Sequence, residues 1–155
     1  MLLLCFSLGD ERFAMDASMV QEVVPRVQLK KLPETPAWVA GVICYHGQAV
    51  PVIDLCALHI HRNASDYLST RMILVHFIAS DQTEHLLGLL AEKVIETGRF
   101  EQKDIQPTGV ETPNALDLGG IIHDRKGMLQ WVDVDKLLPE PVQDLLFQHQ
   151  QGESS

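Results

Sequence analysis

Residues 32–55 read LPETPAWVAGVICYHGQAVPVIDL, and this stretch decides how the chain is organised. Two β-rich runs, Val42–Tyr45 and Ala49–Ile53, flank a turn around His46-Gly47-Gln48, which predicts a β-hairpin. Ahead of it, Pro33 and Pro36 bracket a connection. Pro36 suits the first position of a short helix with Trp38 and Val39 facing inward, and Gly41 is placed to end that helix in a left-handed conformation. Behind it, Asp54 can cap a short helical pattern, Leu55-Cys56-Ala57-Leu58-His59. The same order recurs later: Gly120-Ile121-Ile122, a turn at Gly127, and a return strand Val132-Asp133-Val134 that runs into Asp135. The echo predicts two related β-units, each too small to bury its own sheet face, sharing one core; chance likeness between hairpins is the competing reading.

Working outward, Leu4, Phe6 and Leu8 alternate with Cys5 and Ser7, turn at Gly9–Arg12, and resume at Phe13-Ala14-Met15 as a first hairpin. Asp16 can cap a helical turn ending at Met19, and Val20, Val23 and Val24 are expected to return to the core. Pro25 cannot donate to a ladder, so the strand expected at Val27–Leu32 should start at an edge or bulge. Met72–Ile78 and Leu86–Leu90 are two strongly apolar strands about the turn Ser80–Glu84. Arg62–Ser69 and Thr108–Ala115 read as loops, Glu101–Pro107 as one helical turn, and Asp135–Leu138 and Val142–Phe147 as terminal helical pieces split by Pro139 and Pro141. A polar tail is expected from Gln148 to Ser155. The class is mainly β, because no long amphipathic helix separates the strands.

The chain has 155 residues, 46% of them hydrophobic, enough for one compact unit or two small ones on one core without a metal or disulfide. No apolar run approaches the roughly 18 residues of a membrane span, and no signal-peptide pattern opens the chain, so a cytoplasmic location is expected. The net charge is −9 and the basic residues are scattered apart from the pairs Lys30-Lys31 and Arg125-Lys126, which speaks against nucleic acid as a partner. Cys5, Cys44 and Cys56 form no CxxC and read as small buried hydrophobes.

Three constellations bear on chemistry. Cys44 and His46 fall two apart on a strand and would share a face, as an activated thiolate requires, but no third orienting group accompanies them. Cys56, His59 and His61 form a Cys-x-x-His-x-His cluster that would offer three ligands to a small ligand or metal; polar His side chains at a helix end are the plainer reading. Asp133 and Asp135 share a face at a strand exit, where capping is the plainer role. No GxSxG, P-loop or GxGxxG is present. No enzyme, cofactor or metal is therefore expected.

The residues also resemble a known family, the CheW-like adaptors. Leu8-Gly9-Asp10-Glu11-Arg12-Phe13-Ala14-Met15-Asp16 is similar to the family's opening, and Val20-Gln21-Glu22-Val23 to the Val-x-Glu-Val that comes next. Leu32-Pro33 and Thr35–Val42 resemble its Pro-x-x-Pro to Gly-Val segment, and Val50-Pro51-Val52-Ile53-Asp54-Leu55 its Val-Pro-apolar-apolar-Asp-Leu. Gly88–Val94 matches a later motif with Glu92 for Asp, and Trp131–Leu138 the close, so the resemblance runs from Leu4 to Leu138. It implies two five-stranded SH3-like β-barrel subdomains sharing a hydrophobic core, with short helices, in one domain over residues 1–145 and a tail over 148–155. It also implies a non-enzymatic adaptor that binds the regulatory domain of a CheA-type histidine kinase and the cytoplasmic tip of a chemoreceptor. The family's partner surface carries over to Val20, Glu22, Gly41, His46 and Gly47. Where the family has Asn-x-Arg-Gly in the hairpin turn, this chain has Cys44-Tyr45-His46-Gly47. The expectation is that His46, titratable near neutrality, replaces the arginine beside Glu22, and that the pathway served is other than standard flagellar chemotaxis, surface sensing for example.

Overall fold

In the computed structural model, residues 2–25, 28–60, 70–99, 101–105, 118–124 and 126–152 are described. The strands are β1 (Leu2–Leu8), β2 (Glu11–Asp16), β3 (Val20–Pro25), β4 (Val39–Tyr45), β5 (Gln48–Asp54), β6 (Arg71–Ile78), β7 (Glu84–Ala91), β8 (Lys93–Arg99), β9 (Leu118–Asp124) and β10 (Gly127–Val132). Two helices, α1 (Leu55–Ile60) and α2 (Glu140–Gly152), and three 3₁₀ turns complete the described elements.

The strands form two five-stranded sheets, ordered β8-β1-β2-β10-β9 and β3-β6-β7-β5-β4. Each has the same plan. One antiparallel hairpin (β1–β2 or β6–β7) joins a second (β9–β10 or β4–β5) through a parallel contact, β2 with β10 and β5 with β7. Each hairpin pair carries one further edge strand, β8 or β3. The second sheet uses contiguous chain, β3 to β7, whereas the first joins the amino-terminal hairpin to the last three strands. The two sheets are thus related by circular permutation, which is what the echo of residues 41–55 in 120–135 reflects.

Local chemistry explains the joints. Leu8 pairs with Glu11 across Gly9-Asp10, with Gly9 left-handed at φ 61°. Asp16 accepts the Ser18 N–H at 3.0 Å and starts the expected 3₁₀ turn Ala17–Met19. Asp54, buried, accepts the Cys56 and Ala57 N–H groups at 3.0 and 3.2 Å and caps α1. Pro51 has no N–H, and the parallel ladder of β5 with β7 begins at the next residue, Val52.

Alternate residues of β1 enter different cores. Leu4, Phe6 and Leu8, with Phe13 and Met15 of β2, join Val52, Ile53, Leu74, Phe77 and Leu89 of the second sheet in one shared hydrophobic core. Leu3 packs with Ala14, Ile122 and Leu129 in a smaller one on the other face. The C-terminal helix seals one end: Phe147 lies 5.6 Å from Phe77 and stacks on His85 at 4.0 Å, and Gln143 accepts the Ser80 N–H at 2.9 Å.

Several expectations change. The short helix after Pro36 is a single turn, closed by Val39 N–H on the Pro36 carbonyl at 3.0 Å, and Gly41 lies inside β4 at a bulge rather than at a helix end. The strand expected at Val27–Leu32 reduces, among its described residues, to one bridge between Lys30 and Val42. Val23 is exposed, because β3 is an edge strand. Asp133, not Asp135, caps the 3₁₀ turn Val134–Lys136. Helix α2 continues to Gly152 across the anticipated start of the tail, with Pro141 accommodated in its first turn. The loops expected at Arg62–Ser69 and Thr108–Ala115 lie outside the described residues.

Phe13 is fully buried and touches Phe6 and His59 at centroid distances of 5.6 and 5.1 Å. Phe13→Ala is expected to lower unfolding free energy by about 3–5 kcal/mol, while Met128→Ala, at an exposed position, changes it by less than about 0.5 kcal/mol. Urea denaturation of both variants, followed by tryptophan fluorescence, checks this.

Candidate functional site

The site grows from the β4–β5 turn. Tyr45 pairs with Gln48, so His46-Gly47 is a two-residue loop, and both residues have positive φ, 49° and 78°. That is the type I′ geometry whose twist matches a hairpin, and it suits Gly47 but costs about 1–2 kcal/mol at a histidine. The turn folds the His46 ring edge-on to Tyr45, with centroids 4.3 Å apart and planes at 87°.

Facing this turn is β3, the opposite edge of the same sheet. Its ladder with β6 is interrupted by a bulge between Val20 and Glu22. A bulge breaks the in–out alternation, and here adjacent Gln21 and Glu22 both reach Tyr45. The Tyr45 hydroxyl donates to the Glu22 carboxylate and also meets the Gln21 side chain. The hydrogen bond to Glu22, and then burial and the carboxylate's charge, hold the phenol above its ordinary pKa of 10.0. The polar chain continues through His76, whose Nε2 lies 2.8 Å from Gln21 Oε1 and whose Nδ1 lies 3.1 Å from Glu84 Oε1. Side chains from β4, β3, β6 and β7 thereby form one network across the seam of the sheet.

The five residues singled out in the sequence separate here. Glu22, His46 and Gly47 are exposed at or beside the seam, and Val20, half-buried, pairs with Val75 at the start of β3. Gly41 does not join them. It is buried with φ 147°, and a Cβ there would lie 2.5 Å from the Lys30 carbonyl oxygen. Its lack of a side chain lets Lys30 and Val42 exchange backbone hydrogen bonds of 3.0 and 2.8 Å along the outer edge of β4. The anticipated His46–Glu22 contact is also replaced: Tyr45 holds the carboxylate, and His46 packs on Tyr45. Tyr45 was missed in the sequence. Its signal was a hydroxyl-bearing aromatic at the last strand position before a tight turn.

The other constellations dissolve. His46 leaves the strand at a positive φ, so it does not continue the Cys44 face. Cys56 is sealed in the core and His59 Nε2 is taken by Glu11 at 2.5 Å. His61 lies outside the described residues, and among those described no group of three His, Cys, Asp or Glu side chains could hold a metal ion. Asp135 accepts the Ile78 N–H at 3.2 Å and ties the two sheets together. A groove of about 520 Å³ lies beside β4, lined by Leu29, Leu32, Pro36, Ala40, Asp54 and Leu90 among others. Among the described residues no helix is long and apolar enough to cross a membrane.

Comparison with known proteins gives a consistent result. Residues 2–142 match the family described as CheW-like domain. The chain is 29% identical over 106 residues to the chemotaxis protein CheW of Rhizobium meliloti, covering 68% of this chain and 65% of that protein. It is 29% identical over 141 residues to the chemotaxis protein CheW of Klebsiella aerogenes, covering 87% of this chain and 80% of the relative. Among solved structures, the scaffolding protein TtCheW of Thermoanaerobacter tengcongensis superposes with a TM-score of 0.76 at 27% identity, covering 89% of this chain and 87% of that one.

The two glycines of the hairpin should respond differently to substitution. Gly41→Ala forces a Cβ against the Lys30 carbonyl and is expected to cost about 2–4 kcal/mol. Gly47→Ala meets nothing within 4 Å and should cost only about 1–2 kcal/mol for its left-handed backbone. Thermal melts of the two purified variants give the comparison directly.

Proposed function

The chain belongs to the CheW-like domain family, and on that footing we propose that it is a non-enzymatic adaptor coupling a chemoreceptor to a CheA-type histidine kinase in a cytoplasmic chemosensory pathway. The adaptor domain takes in residues 1–145 together with Leu146 and Phe147, which α2 packs into the shared core, and the polar stretch from Gln148 continues that helix. One observation carries the reading: Glu22 and the His46-Gly47 turn, positions that the family resemblance assigns to partners, are exposed around one hydrogen-bonded seam with Val20 close by on β3. An edge strand beside a rigid turn is a surface that proteins use for recognition. The kinase's regulatory domain and the receptor's cytoplasmic tip are the partners proposed for it. Gly41 contributes by shaping β4.

The replacement of an arginine by His46 favours a pathway with a non-flagellar output, such as surface sensing, because a receptor or kinase matched to a fixed cation would meet a different surface here. No covalent chemistry is assigned to any residue.

The test is reconstitution. Purified chain mixed with the regulatory domain of the kinase encoded beside it should elute as a stable complex in size-exclusion chromatography. His46→Asn, which tolerates a left-handed backbone and removes the exposed imidazole without adding charge, is expected to weaken that complex about tenfold, a change of about 1.4 kcal/mol, without shifting the melting temperature by more than a few degrees. Failure to bind both the kinase domain and the receptor's cytoplasmic hairpin at about 100 μM, where a functional interface should be occupied, would reject the adaptor reading.

A further inference from the structure

We propose that Tyr45 is the positioning residue of this surface, clasping β3 to β4 so that the Glu22 carboxylate is presented as a fixed acceptor for a cationic side chain of the partner. The inference rests on the adaptor reading and adds to it both a residue and a partner chemistry.

Three observations converge. Glu22 and Tyr45 are 23 positions apart in sequence and lie on the two outer strands of one sheet, so their hydrogen bond spans the seam. Glu22 is exposed, and one of its oxygens accepts the Tyr45 hydroxyl, which orders a side chain that would otherwise sample many rotamers. No lysine or arginine joins the network among the described residues: Gln21 and Glu84 flank it through His76, and the whole chain carries −9. A guanidinium or ammonium from the partner fits a held carboxylate in such a setting, because a charge-assisted bond to a preordered acceptor loses less entropy on forming. The Tyr45 ring also supports the His46 imidazole at 4.3 Å, so the same side chain sets the orientation of the adjacent turn.

The test has a spectroscopic arm and a binding arm. The chain has two tyrosines, so Tyr67→Phe leaves Tyr45 as the single phenol. Its ionisation, followed by absorbance near 295 nm, is expected above 10, because folding with the clasp raises that pKa. The clasp's contribution is then complete below the unfolded value and is lost as pH rises through the folded one. Glu22→Ala should return the midpoint to about 10, the unperturbed value. In the binding arm, Tyr45→Phe should weaken the complex with the receptor hairpin or kinase domain about tenfold, and Glu22→Gln should weaken it and flatten its salt dependence. Tyr45→Phe added to Glu22→Ala should cost nothing more. A Tyr45 midpoint unmoved by Glu22→Ala, or wild-type affinity in a folded Tyr45→Phe protein, overturns the inference while leaving the adaptor reading intact. A wild-type chain that binds neither partner removes that reading instead.

Discussion

Two registered residue pairs hold the first sheet together: Gln130 opposite Phe13 and Trp131 opposite Ala14, where β10 lies parallel to β2. Without that short parallel contact the sheet splits into a three-stranded piece, β8-β1-β2, and the lone β9–β10 hairpin, and an isolated two-stranded ribbon is marginal in water. With it they become one sheet, and both cores form on its two faces. Phe13 and Met15 on one side of β2 enter the shared core, while Ala14 on the other side closes the small core with Ile122 and Leu129. The second sheet needs no such closure over distance, since β3 to β7 are contiguous. The loop-closure entropy of this fold is therefore concentrated in the first sheet, whose halves lie more than a hundred residues apart.

Glu92 manages the crossing between the two sheets. β7 ends at Ala91 and β8 begins at Lys93, so one residue must carry the chain from one sheet to the other. Its N–H donates to the Ser7 carbonyl at 3.2 Å, and its buried carboxylate accepts the Gly9 N–H at 2.8 Å. A buried carboxylate is costly unless such donors satisfy it. Here it fastens the left-handed β1–β2 turn to the point where the chain changes sheets, so the first hairpin is oriented by a residue 83 positions away.

What the sequence made legible is what local chemistry decides. Alternation at Leu4, Phe6 and Leu8, the places of the turns at Gly9 and Gly47, and the aspartate caps at Asp16 and Asp54 each depend on neighbours a few residues away, and each is present, although both turns are tighter than expected, with Glu11, Arg12 and Gln48 already in strands. The two-unit core was legible from the echo because related units leave related patterns. Strand β8 was not seen. Among the described residues it contributes an edge and pairs only with β1, so little in KVIETGR demanded a period-two pattern. The Pro36 turn was mistaken for a helix because proline at a first position fits both, and only the start of β4 at Val39 leaves no room for more than one turn. The seam was invisible for a further reason. Whether Tyr45 meets Glu22 depends on the curvature of a five-stranded sheet and on a bulge in its far edge, neither of which any short window encodes.

Edges are where such a sheet is vulnerable, and both edges of the second one are guarded. β4 is covered at Val42 by the Lys30 bridge, which Gly41 alone permits. β3 ends at Pro25, is broken by a bulge, and is tied across the seam by Tyr45. The guard at the seam is a side-chain bond rather than a backbone ladder, so it closes the edge while leaving Gln21, Glu22 and Val23 exposed. An arginine in the turn would carry its own permanent charge to Glu22. Histidine at φ 49° is short and lies against the tyrosine instead, so the task of holding the carboxylate moves one residue back, onto a neutral phenol. The seam thereby keeps its acceptor and gives up a fixed cation, and on the proposed reading that missing charge is what the partner brings.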